Sequence, residues 1–201
     1  PVAHSFPTRR SSDLVADRVD FGDLPVPEFT ERSEKIAVVG SGPAGLTVAY
    51  YLRLKGYQVT IFEALEKLGG MLRVGIPDYR LPPDLLDKEI DYLISTGINA
   101  VTNTRFGTDL TLEDLQNQKF DAVFLAIGAH DSINLRIPGE ENAKGVIDAV
   151  AFLREANLGK TGSPGDKVAV IGGGNVAVDA ARAAKRLGAD SVSIVYRRTE
   201  K

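Results

Sequence analysis

The strongest constraint on the fold of this chain is a glycine cluster that separates two segments of different hydrophobic period. Residues 35–39 are a short apolar run, which predicts a buried strand, and residues 43–55 carry apolar side chains near helical spacing, which predicts a helix. The cluster has the spacing G-x-G-x-x-G, in which the first glycine permits a tight turn, the second lets the backbone approach a pyrophosphate, and the third lets helix and strand pack closely. Its residues are Gly40, Ser41, Gly42, Pro43, Ala44 and Gly45. Free N–H groups at the start of a helix favour phosphate, so the cluster predicts a dinucleotide-binding turn.

An acidic residue stands where such a turn needs one. The predicted strand at 59–62 ends at Glu63, which lies 23 residues after Gly40, close to the expected offset of about 20 residues. A carboxylate there accepts hydrogen bonds from ribose hydroxyls and fits an unphosphorylated ribose, as in FAD. The alternative is a glycine-rich turn in an unrelated α/β domain.

The same pattern returns with a different ending. Residues 167–171 and 191–195 predict strands on either side of a helix at 175–187. The intervening turn and the start of the helix consist of Gly172, Gly173, Gly174, Asn175, Val176 and Ala177, with alanine as an allowed third member. The second strand runs into Arg197 and Arg198 in place of an acid. Guanidinium groups pair with phosphate bidentately, so this site favours the 2′-phosphate of NADPH over NADH. The alternative is a solvated strand end.

Between the two turns the sequence predicts a loop at 64–82, a helix at 83–95 and a buried strand at 120–127. A helix is also predicted at 146–156. Thr111, followed three residues later by an aspartate, predicts a capping box at the start of a short helix.

These elements predict an α/β fold with two Rossmann-like dinucleotide-binding domains. We expect the N-terminal part of an FAD-binding domain at 35–160 and the first strand, helix and strand of an NADPH-binding domain at 161–201. Because two strands cannot close a doubly wound sheet, we expect the sequence to be truncated at its C-terminal end. Residues 15–34 contain two prolines and predict a linker or extended arm. Residues 1–14 resemble the translated read-through of a sequencing adapter, so we expect them to be an artefact.

Composition excludes several classes of site. The chain has no cysteine and two histidines, so its residues supply no disulfide, no cysteine-ligated zinc, no iron–sulfur ligation and no histidine-rich metal site. A formal net charge of −3 gives no nucleic-acid or membrane footprint, and no apolar run approaches the ~18 residues of a membrane span. The absence of cysteine is compatible with a cytoplasmic protein.

Three segments carry a resemblance to a known family: residues 36–45, residues 69–82, and residues 168–179 together with 196–198. They resemble the small (beta) subunit of NADPH-dependent glutamate synthase and related FAD/NADPH oxidoreductases, including the flavin module of dihydropyrimidine dehydrogenase. The resemblance covers residues 24–201. The G-G-x-L-x-x-G-I-P pattern at 69–77 is its specific part, because many flavoproteins with two dinucleotides share the glycine clusters.

The resemblance implies cofactor contacts along the chain. Gly40 to Ala44 would hold the FAD pyrophosphate, with Glu63 on its adenosine ribose, and Gly173 to Val176 would hold the NADPH pyrophosphate. Further positions implied near FAD are Gly70, Met71, Arg80, Phe106 and Gly128. Core packing is the alternative for Met71 and Phe106, whereas a charged Arg80 in an apolar loop needs a partner.

The implied reaction is hydride transfer from NADPH to FAD, which needs positioning rather than a side-chain base, so no catalytic residue is predicted. Electrons would continue through iron–sulfur clusters of the parent protein to an electron-accepting subunit or domain, such as the glutamate synthase large subunit. The cysteines for those clusters and the C-terminal half of an FAD domain are absent from this sequence. The alternatives are an NADPH oxidoreductase serving ferredoxin or another acceptor, and an inactive nucleotide-binding fragment. A disulfide reductase would need a cysteine pair in the loop after Glu63, which holds none.

Overall fold

The computed structural model describes residues 21, 24–132 and 134–198. The predicted artefact at 1–14 and the first part of the predicted arm lie outside these residues. Within them, the strands are β1 (Lys35–Val39), β2 (Gln58–Phe62), β3 (Asn99–Val101), β4 (Ala122–Leu125), β5 (Lys167–Ile171) and β6 (Ser191–Val195). The helices are α1 (Pro43–Leu54), α2 (Met71–Val74), α3 (Pro83–Ser95), α4 (Leu112–Asn117), α5 (Ala149–Asn157) and α6 (Asn175–Arg186).

The first sheet is parallel and has the strand order β3-β2-β1-β4. The chain moves outward from β1 through β2 to β3 and then returns to the other side of β1 with β4. This reversal places a crevice beyond the carboxyl ends of β1 and β4, where open α/β sheets bind their ligands. The predicted Rossmann-like parallel sheet is therefore confirmed, and the first glycine turn lies at its switch point.

Both faces of the first sheet are covered at its central strands β1 and β2. The prediction of a buried strand at 120–127 is wrong as to burial, because β4 forms the edge of the sheet and Phe124 and Leu125 are exposed. Val38 and Ile61 are fully buried against α1 and α3, and Leu46 and Ile90 belong to the same cluster. On the opposite face, the cluster contains Ala37, Val39, Phe62, Leu110 and Leu115. Because successive side chains of β1 enter both clusters, this strand reads as a continuous apolar run rather than an alternating one.

The second sheet pairs β5 with β6 in parallel among the described residues. Helices α5 and α6 cover one face through Phe152, Leu153 and the small residues Ala180 and Ala184. The strand–helix–strand predicted after residue 166 is confirmed. That it begins a full second Rossmann-like domain, with a boundary at 160/161, stays a prediction.

The short helix α2 is absent from the sequence prediction, which treats 64–82 as a loop. Gly70 caps this helix with φ +50°, a backbone conformation that side chains rarely adopt, and four residues then form a single turn. One turn is too short for hydrophobic periodicity to reveal. The predicted capping box is confirmed, since Thr111 accepts from the Asp114 backbone N–H and the Asp114 carboxylate accepts from the backbone N–H of Thr111. In the part of the chain that is described, no helix combines the length and apolar character that a bilayer span requires.

Candidate dinucleotide-binding site

The first glycine turn is shaped by three glycines that meet different surroundings. A Cβ on Gly40, which has φ +99°, would lie 2.3 Å from the backbone oxygen of Ala126, and a Cβ on Gly45 would lie 1.9 Å from the backbone oxygen of Gly40. A Cβ on Gly42 would meet no described atom within 4 Å. Two positions therefore exclude any side chain because the backbone is close, while the third faces open space at the start of α1.

Glu63 is 6% exposed and lies directly beside this turn. Its Oε2 accepts from the backbone N–H of Ser41 at 2.9 Å and from the Ser41 hydroxyl at 2.5 Å, and its Oε1 accepts from the backbone N–H of Leu65 at 2.9 Å. A carboxylate offers about four acceptor sites. Since three are used, the carboxylate retains capacity for one further donor such as a ribose hydroxyl.

Residues 69–80, here named the bridging segment, pack against the same turn. The backbone N–H of Gly69 donates to the Ser41 hydroxyl at 3.0 Å, and a Cβ on Gly70 would lie 2.8 Å from the Gly42 Cα. This close approach explains the glycine pair. The Ser41 hydroxyl thus links the glycine turn to Glu63, just after β2, and to the bridging segment. Because Ser41 occupies a variable position of the motif, the sequence does not predict this role.

Arg80, at the end of the bridging segment, has a carboxylate partner on α6. Its Nε donates to Asp179 Oδ1 at 2.7 Å, and the Tyr79 hydroxyl donates to the same oxygen at 2.9 Å. Asp179 is 7% exposed. Burial, followed by the hydrogen bond to Asp179, raises the pKa of the Tyr79 phenol above its ordinary value. The phenol therefore stays protonated at neutral pH and serves as the hydrogen-bond donor. The predicted contact of Arg80 with FAD stays a prediction.

The second glycine turn is built more loosely. Gly172 has φ +129°, and a Cβ on it would lie 3.5 Å from the Cβ of Ala177, an ordinary contact. A Cβ on Gly174 would meet no described atom within 4 Å, whereas one on Gly173 would lie 2.6 Å from the Tyr196 ring. Alanine is therefore accommodated where the first turn requires glycine, and an aromatic ring lies over the middle of the turn.

The remaining predicted site residues are distributed around the two turns. Met71 begins α2, half-buried, with its methyl group against Gly75. Phe106 is half-buried and packs in the cluster of Phe62 and Leu115, so core packing accounts for its side chain. Its predicted position near FAD stays a prediction.

Three further predicted positions are solvent-exposed. Gly128, with φ +73°, follows β4 near the Gly40 turn. Arg197 and Arg198 follow β6, and both are exposed. Their side chains lie at the end of the strand where the sequence predicts a 2′-phosphate, and that contact stays a prediction.

Comparison with known proteins agrees with this geometry. Residues 34–200 match the family model described as Pyridine nucleotide-disulphide oxidoreductase. NADPH-Fe(3+) oxidoreductase subunit beta of Geobacter sulfurreducens is 48% identical over 184 residues, covering 88% of this chain and 27% of that protein. The putative glutamate synthase (NADPH) small chain of Cereibacter sphaeroides is 37% identical over 177 residues, covering 84% of this chain and 42% of that protein. The chain therefore spans between a quarter and under half the length of these relatives.

A solved structure supports the same fold. FprA of Mycobacterium tuberculosis in complex with NADPH superposes with a TM-score of 0.68 at 26% identity, covering 83% of this chain and 44% of that one. The resemblance to the glutamate synthase small subunit and its relatives is confirmed by these matches. With two glycine turns, each between parallel strands, and a family match across 34–200, the chain belongs to the pyridine nucleotide-disulphide oxidoreductase family.

Proposed function

We propose that this chain is part of an NADPH-dependent flavin oxidoreductase, with FAD at the Gly40–Gly45 turn and NADPH at the Gly172–Ala177 turn. The observation that carries the proposal is the first turn, where Gly42 faces open space between two positions that exclude side chains. The buried Glu63 beside it retains capacity for a hydroxyl donor. This combination suits a pyrophosphate followed by an unphosphorylated ribose.

The chain's own residues bind and orient in this proposal. The backbone N–H groups of Gly42 and Ala44, at the start of α1, would hold one pyrophosphate, since Pro43 between them has no N–H to donate. The backbone N–H groups at the start of α6 would hold the other pyrophosphate. FAD, when bound, supplies the flavin that accepts a hydride from NADPH. Hydride transfer requires placement of the two rings rather than a proton donor, so we assign no catalytic residue.

The nicotinamide dinucleotide is proposed to be NADPH because Arg197 and Arg198 follow β6 where an acid would otherwise meet the ribose. Their exposed guanidinium groups are available for bidentate pairing with a 2′-phosphate. The printed names of the Geobacter and Cereibacter relatives both specify NADPH. These observations support the phosphorylated form over NADH.

The electron acceptor is proposed to be a partner subunit or domain, reached through iron–sulfur clusters of the parent protein. The Geobacter relative is a beta subunit by name. Two acceptors are considered. The Cereibacter relative, at 37% identity, supports the glutamate synthase large subunit. The Geobacter relative, at 48% identity, supports a different electron acceptor, because its name specifies Fe(3+). NADPH-driven reduction of an iron(III) complex, set against glutamate formation from glutamine and 2-oxoglutarate, separates them.

The cofactor assignment is tested on the full-length protein by its flavin content and by anaerobic bleaching of flavin absorbance with NADPH. Glu63→Gln keeps the size of the side chain but removes its charge, so we expect FAD affinity to fall at least about tenfold, as for loss of a charged hydrogen bond. Glu66→Gln is the matched control because Glu66 is exposed three residues away. Wild-type protein that binds no flavin and oxidises no NADPH would overturn the proposal.

A further inference from the structure

The bridging segment joins the two glycine turns by direct contacts at both of its ends. At its start, Gly69 donates to Ser41 and Gly70 packs on the Gly42 Cα. At its end, Tyr79 and Arg80 converge on one oxygen of Asp179. Asp179 is the fifth residue of α6, the helix that begins at the second turn.

The middle of the segment is held from both sides as well. The Asn157 side-chain amide at the end of α5 donates to the backbone oxygens of Val74 and Ile76, at 3.0 and 3.1 Å. On the other side, Arg73 forms an ion pair with Asp87 of α3. The segment is therefore fixed to the first sheet through α3 and to the second sheet through α5.

The contact at Asp179 is energetically demanding. Its carboxylate is almost fully buried, and a buried charge that loses its partner is strongly destabilising. The guanidinium groups of Arg186 and Arg182 lie 4.4 and 5.2 Å from the centre of the Tyr79 ring, so two further side chains of α6 contact this tyrosine. A displacement of α6 must consequently move the end of the bridging segment.

We propose that Asp179 is a positioning residue that fixes the second dinucleotide turn relative to the first through the bridging segment. This inference rests on the proposed function. Because the start of the segment packs on the Gly42 turn, FAD bound at that turn stabilises the arrangement of the segment in which Tyr79 and Arg80 meet Asp179. FAD therefore favours the arrangement of α6 that binds NADP(H), and by linkage NADP(H) favours FAD binding to the same degree.

The test measures NADP⁺ affinity by calorimetry for the full-length protein with and without FAD. In the wild type, FAD tightens NADP⁺ binding at least about fivefold, within the usual range of coupling between sites. Asp179→Asn removes the charge, and Tyr79→Phe removes one hydroxyl while keeping the Arg80 ion pair. Both variants reduce the FAD effect to within about twofold, whereas Asp190→Asn, at an exposed position just before β6, retains it.

A steady-state readout separates positioning from a structural role. Hydride transfer is sensitive to placement, and a displacement of about 1 Å can cost 10²-fold. For Asp179→Asn we expect kcat with NADPH to fall at least about tenfold while KM stays within about twofold. A lower Tm with unchanged coupling and unchanged kcat would make the contact structural only and overturn the inference.

The outcomes also separate this inference from the proposed function. Wild-type protein that binds neither FAD nor NADP⁺ overturns both. Binding of both dinucleotides, with the same FAD effect in Asp179→Asn and Tyr79→Phe as in wild type, overturns the positioning role alone. Equal loss of the effect in Asp190→Asn overturns it too, because that side chain lies outside the bridging contacts.

Discussion

The two glycine turns share a sequence spacing but are packed in different ways. At the first turn a side chain on Gly45 would collide with the Gly40 backbone, whereas the equivalent position of the second turn holds Ala177 at ordinary contact distance. The first turn also has a buried carboxylate beside it, and the second has exposed arginines beyond its strand. A motif therefore predicts where a phosphate would bind, while the packing around the motif shows how tightly the turn is held.

The largest expected effect compares the third position of each turn. Gly45→Ala places a Cβ 1.9 Å from a backbone oxygen, so we expect the free energy of unfolding to fall by about 3 kcal/mol, the upper part of the overpacking range. Ala177→Gly removes a methyl group and frees the backbone, which costs about 1 kcal/mol in a helix. Urea denaturation measures the free energy of unfolding of both variants. Equal losses would show that the two turns are packed equally tightly.

An intermediate effect concerns the arginines that follow β6. Replacing both Arg197 and Arg198 with alanine removes two candidate partners of the 2′-phosphate. Because a hydrogen bond to a charged group contributes about 1.5–3 kcal/mol, NADPH affinity should fall at least about tenfold. NADH lacks this phosphate, so its affinity should change little. Binding titrations with both nucleotides measure the ratio. Lys160→Ala, in the exposed linker before β5, is the control. An unchanged preference would favour a solvated strand end.

The smallest effect concerns helix caps, which both regions possess. Thr111 caps α4 beside the first sheet, and Asp148 caps α5 beside the second by accepting from the Ala151 backbone N–H at 2.7 Å. Replacing either with alanine should cost about 1 kcal/mol, the usual value of an N-cap. If urea denaturation gives similar losses of unfolding free energy for the two caps, the difference between the two regions lies in the glycine turns. A much larger loss for one of the two caps would show that the difference lies in the helices instead.

Local signals predict most of this fold. The apolar run at 35–39, the helix at 83–95 and the Thr111 capping box all match the structure, because each depends on neighbours within a few residues. The predicted strand at 120–127 is observed at 122–125, and the predicted helix at 146–156 is observed at 149–157. Boundaries are the part that local patterns fix least well.

Contacts between distant residues are the part that the sequence does not predict. Arg80 and Asp179 are 99 residues apart, so no period or spacing relates them. The sequence indicates that Arg80 needs a partner, since a charge in an apolar loop is costly, but the identity of that partner depends on how the two sheets pack. The hydroxyl of Ser41 is similar: its position in the motif is variable, and its bonds to Glu63 and Gly69 emerge only from the fold.

In the proposed function, FAD occupies the first turn and NADPH the second. A crystal structure of the full-length protein with FAD and NADP⁺ tests it most directly. We expect the FAD pyrophosphate against the backbone at Gly42, with Glu63 on its ribose. We expect the NADP⁺ pyrophosphate against Gly174, with its 2′-phosphate on Arg197 or Arg198. If either dinucleotide were bound away from its turn, or if the two were exchanged, the assignment of the two turns would be wrong.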